Sequence, residues 1–70
     1  MSKYYVCKSR NNPNHDHEVH KDGCQWLPNP GNREELGEFS SCHGAVQEAK
    51  RRGYSSVDGC ATCSPDCHTG

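Results

Sequence analysis

Seventy residues with a formal charge of −1 make one small domain, residues 1–70, and only 30% of them, 21 residues, are hydrophobic. Six of those 21 are cysteines, there is no isoleucine, and Val, Leu and Phe together number seven. Such a chain cannot be a metal-free, thiol-reduced globule with ordinary packing, and it has no apolar run long enough for a transmembrane helix.

In chain order, Tyr4-Tyr5-Val6-Cys7 is aromatic and β-branched and predicts a strand, with Tyr4 and Val6 on one face and Tyr5 and Cys7 on the other. Residues 8–16 are polar, contain Pro13 and read as loop, so the first sixteen residues are expected to be partly loop or flexible. The stretch from His15 to Cys24 holds three histidines and a cysteine. Gln25-Trp26-Leu27-Pro28 is an apolar knot, with Trp26 and Leu27 expected as a core anchor against Val46. Asn29-Pro30-Gly31-Asn32 is turn chemistry. Leu36-Gly37-Glu38-Phe39 predicts a second strand paired with the first.

One helix is predicted over about residues 41–52. Ser40 or Ser41 can cap it, and Cys42, Ala45, Val46 and Ala49 recur at one helical face. Arg51 and Arg52 suit its C-terminal end, and Gly53 suits the left-handed residue that follows. Gly44 weakens the first turn by about 1 kcal/mol relative to Ala. Ser64-Pro65-Asp66 reads as the start of one further helical turn. The expected fold is α+β: a small zinc-stapled domain with a short antiparallel sheet of two or three strands and one main helix.

What cross-links so thin a core depends on the redox compartment. Met1 to Arg10 contains no apolar segment of the signal-peptide kind, so the chain is expected to be cytoplasmic, its thiols reduced and its cysteines metal ligands in preference to a disulfide scaffold. Cys60-Ala61-Thr62-Cys63 is a C-x2-C knuckle, which a redox protein would place between a strand and a long helix; here a loop is expected before it and only seven residues follow it. His20-Lys21-Asp22-Gly23-Cys24 offers an imidazole and a second kind of half-site. Cys24, Cys60 and Cys63 with His20 make a closed structural set for one zinc ion, and a cysteine and histidine set of this kind supplies on the order of 10–16 kcal/mol. Cys67 is the alternative fourth ligand and His68 a further rival. Cys42 reads as a core thiol in preference to a ligand, and Cys7 as an inert or surface thiol. His15 and His17 read as loop histidines, and His43 as exposed.

These residues carry a likeness. His20-x3-Cys24-Gln25-Trp26-Leu27-Pro28, Phe39-Ser40-Ser41, the short helix, Gly53-Tyr54 and Cys60-x2-Cys63 resemble the metal-binding domain of the Ada methyl-phosphotriester repair family of bacteria. From His17 to Thr69 the chain also resembles a set of small uncharacterised bacterial zinc-binding proteins, through Glu18-Val19-His20, Leu36 to His43 and Cys63 to Thr69. The second likeness implies a fold and a zinc ion, and no activity. The first implies a four-cysteine zinc site whose first thiolate accepts a methyl group from DNA. Here His20 holds that position.

The expected function is therefore a binding or interaction module with a structural zinc, not an enzyme, acting on an undetermined protein partner as a monomer and without a membrane. An Ada-like methyl acceptor or DNA-binding module is the alternative; the net charge and the single small patch at Lys50, Arg51 and Arg52 argue against nucleic acid. Metal buffering or sensing, with Cys67, His68, His15 and His17 as extra ligands, is a third.

Overall fold

A computed structural model describes residues 1–10 and 16–69. Strand β1 runs Ser2–Cys7, β2 His17–Lys21, β3 Arg33–Phe39 and β4 Val57–Gly59; the helix α1 runs Cys42–Arg51, and three-residue 3₁₀ turns occupy Pro30–Asn32 and Pro65–Cys67. The four strands form one mixed sheet in the order β3-β1-β2-β4. β1 is antiparallel to both neighbours, with Tyr5 opposite His20 and Val6 opposite Val19, whereas β4 runs parallel to β2. The α+β class and the pairing of β3 with β1 match the sequence reading. The sheet is larger than expected and not wholly antiparallel, because His17–Lys21 and Val57–Gly59 add strands too short to show a clear alternation.

The alternation read in β1 holds: Tyr4 and Val6 are buried, and Tyr5 and Cys7 are only partly covered. Opposite Tyr4 and Tyr5, β3 carries one extra residue, since Tyr4 pairs with Gly37 and Tyr5 with Glu35. The bulge lets Leu36 turn into the core beside them, and Gly37 takes the left-handed φ of +110° that follows from it.

Helix α1 lies on the Tyr4, Val6 and Val19 face and buries Cys42, Ala45 and Ala49, with Val46 half-buried. Among the described residues, only Val6 and Val19 are large, fully buried side chains, so the apolar core is as thin as composition implies. Ser41 is the N-cap residue, yet its hydroxyl makes no capping bond and lies 3.5 Å from His43 Nδ1 instead. The C-terminus closes as a Schellman motif: Gly53 N–H donates to Lys50 O, Tyr54 N–H donates to Ala49 O, and Gly53 adopts φ +98°. Arg52 then ties the helix end to β3 through Glu34 at 2.6 Å and the Glu35 carbonyl at 2.9 Å, while Tyr54 O–H donates to the other Glu34 oxygen.

Other expectations fail. Trp26 is 60% exposed and does not join Val46 in the core. The Leu27 N–H donates to Cys24 O and turns this segment outward, and the helix face is already filled by Ala45, Ala49, Phe39, Tyr54 and Val57. The thiols are also not all free: Cys42 and Cys67 form a disulfide. Cys42 is buried as read, but as one half of a cross-link that ties the helix start to the final 3₁₀ turn.

Candidate metal centre

Two backbone turns build this site. β2 ends at Lys21, where Cys24 N–H donates to Lys21 O across a turn that Gly23 closes at φ +86°. That reversal folds the Cys24 thiol back toward His20, the residue before the turn. On the other side, β4 delivers Cys60 alongside β2, its N–H donating to Val19 O, and the knuckle closes as Ser64 N–H donates to Cys60 O. The halves are bonded to each other, since Lys21 N–H donates to Cys63 Sγ at 3.3 Å.

Gly59 makes room for the segment that follows the knuckle. A Cβ there would stand 2.6 Å from Cys67 Cβ and 2.7 Å from the Ser64 carbonyl oxygen. Its bare backbone lets the C-terminal turn press directly onto β4.

The donor atoms of His20, Cys24, Cys60 and Cys63 all lie within 4.8 Å of one another. His20 and Cys60 are buried, and Cys24 and Cys63 are partly covered. His20 Nδ1 is 3.8 Å from Cys63 Sγ. Tetrahedral zinc, with bonds of about 2.3 Å to sulfur and 2.0–2.1 Å to nitrogen, sets such a pair about 3.6 Å apart. The cluster therefore fits one small divalent ion without rearrangement of the backbone.

Electrostatics point the same way. Burial pushes the His20 imidazole below its ordinary value, so at neutral pH it is the uncharged base a metal needs. Its Nε2 faces Glu18 Oε1 at 3.7 Å, leaving Nδ1 to the cluster. Burial, and the hydrogen bond with Cys24, push the Cys63 thiol up to about 12. Thiolates crowded together need a cation among them, and a divalent ion reverses the shift.

The other candidates lie elsewhere. Cys67, the alternative fourth ligand, is bonded to Cys42 and is not free to compete. His68 Nδ1 donates to Gly59 O at 3.1 Å and stands 3.2 Å from the Asp58 carboxylate. His17 is on β2 and not in a loop; its Nδ1 donates to Cys7 O, and its ring meets Tyr54 edge-on at 5.0 Å between centroids. His15 lies outside the described residues. His43 is exposed, as read, and Cys7 is a partly covered free thiol near Ser9 and Asn32. Cys42, His43 and Cys67 form a second close group of donors.

Two features were missed. Glu18 would have been legible from a strand assignment, since residues two apart share a face, but His15 to Cys24 was read only for its ligands. The Cys42–Cys67 pairing leaves no signal in spacing. Comparison with family models, with curated proteins and with solved structures gives no match to this chain, so geometry carries the functional argument. No helix among the described residues is long and apolar enough to cross a membrane.

Proposed function

We propose that this chain is a small binding module whose fold is stapled by one structural zinc ion held by His20, Cys24, Cys60 and Cys63. The observation that carries the reading is the convergence of these four donors within 4.8 Å, from two segments that the backbone bonds together. Three thiolates and an imidazole select zinc among the common cellular cations, and a fully protein-ligated ion has no open position for activating water.

We take the likeness to the Ada-type domain to extend to the metal framework and to stop short of methyl transfer. An alkyl acceptor needs an accessible, electron-rich thiolate, whereas the matching position carries an imidazole that is 3% exposed. The basic patch has little to offer a phosphate backbone, because Arg51 and Arg52 are both bonded to Glu48, and Arg52 also to Glu34. A protein is the partner that remains, met in the cytoplasm by a monomer, with exposed Trp26 beside the metal-binding turn as its first contact.

The deciding experiment is metal content and intact mass. Purified protein should carry one zinc per chain and should gain no methyl group from DNA bearing methyl phosphotriesters. Zinc-free protein that keeps its native circular dichroism overturns the staple; one methyl gained per chain overturns the module. Metal buffering or sensing is the second reading, favoured by the group Cys42, His43 and Cys67.

A further inference from the structure

We infer that Cys42, His43 and Cys67 form a second metal site that is closed by oxidation and opened by reduction. Their donor atoms all lie within 4.8 Å of one another, although two of the three are tied up in the disulfide. Two adjacent residues at the start of α1 supply one thiol and one imidazole, and the final 3₁₀ turn supplies the other thiol.

The placement suits exchange of an ion with solvent. His43 is exposed, and Cys67 is half-buried at the edge of a cleft of about 290 Å³ lined also by Lys50 and Asp66. Asp66, next to Cys67, lines the same cleft, and the fourth position of a tetrahedral ion is left to water. Cys42 is fixed on the helix and buried, so adjustment belongs to the short terminal turn. This cluster shares no ligand with His20, Cys24, Cys60 and Cys63.

The chemistry balances in both directions. A dithiol reductant passes two electrons to the Cys42–Cys67 bond; it becomes a disulfide, and the protein gains two thiols. Zinc then displaces one proton from each thiol and takes the His43 imidazole as third ligand. In reverse, hydrogen peroxide takes two electrons from the zinc-bound thiolates; the sulfur–sulfur bond reforms, peroxide leaves as two hydroxide ions, and zinc is released. The chain would thus carry its structural ion permanently and a second ion only while thiols are reduced.

Native mass spectrometry with zinc alone as the probe tests this on the full chain, under argon, with and without a phosphine reductant. The expected result is one zinc in the oxidised protein and two in the reduced protein, with addition of peroxide restoring one. His43→Ala, an exposed position that leaves the disulfide intact, should weaken the second ion at least tenfold in chelator competition. Cys67→Ser should abolish its redox dependence, leaving one zinc under both conditions. The zinc count of the oxidised wild-type protein reports the structural site alone, so failure of that site is read separately from the increment that reduction adds. The inference is overturned if reduction adds no ion, or if the added ion is held equally well by His43→Ala.

Discussion

The backbone nitrogen of Lys21 and the sulfur of Cys63 are 3.3 Å apart across forty-two residues of sequence. This bond joins the turn after β2 to the knuckle after β4, so each pair of ligands is positioned partly by the other. Loss of one ligand should therefore loosen both turns.

Metal removal is expected to unfold the chain, because two fully buried valines and a few small side chains cannot hold it alone. Excess chelator should abolish the helical circular dichroism, with the disulfide slowing full expansion. Cys60→Ser should cost more than about 3 kcal/mol in urea unfolding, and Cys7→Ser about 1 kcal/mol or less.

Zinc uptake should expel protons. Zinc takes Cys24, Cys60 and Cys63 as thiolates, so uptake releases about three protons per zinc. Calorimetry in buffers of different ionisation enthalpy counts them. Glu18→Gln should lower affinity about tenfold, the low end of what loss of an outer partner costs, given the 3.7 Å separation.

Gly59→Ala should be the most damaging change outside the ligands. The new methyl would meet the Cys67 side chain and the Ser64 carbonyl, both under 3 Å. Overpacking against backbone costs about 3 kcal/mol here, the upper part of the usual range, and thermal unfolding should show it.

Trp26→Ala should change stability by less than about 0.5 kcal/mol, because the ring is largely exposed. Its effect should appear only in binding to a partner, measured by pull-down with wild-type protein as reference.

Acid should loosen the helix end in a predictable direction. Hydrogen bonds from Arg51, then Arg52, hold Glu48 down to about 2, from an ordinary 4.5. A depressed carboxylate contributes stability that is whole above 4.5 and fades as pH falls toward 2. At pH 7, where this contribution is whole, Glu48→Gln should lower the urea midpoint of the zinc-loaded protein relative to wild type.

How much of this was legible follows from how local each signal is. Helix α1 was readable nearly to the residue, since the stripe of Cys42, Ala45, Val46 and Ala49 and the terminal Gly53 lie within one element. The gathering of His20, Cys24, Cys60 and Cys63 was readable because each half-site is a short motif next to a glycine. Trp26 misled because scarcity of apolar residues argued for burying every one, whereas the turn from Cys24 to Leu27 decides its direction. The parallel β2–β4 pair, the Cys42–Cys67 bond and the Glu18 contact depend on distant segments or on a strand register, which composition does not encode.

The parallel pairing of β2 with β4 has a kinetic meaning. Between Lys21 and Val57 the chain must lay down β3, which pairs beyond β1, and all of α1 before Cys60 arrives beside Val19. Closing so long a loop is entropically slow, and the reward comes only at its end. A peptide of either half offers two ligands and should hold zinc loosely. Tight, stoichiometric uptake therefore marks molecules that have completed the crossover, and the rate of zinc capture from a weak indicator should track the slowest step of folding rather than diffusion of the ion.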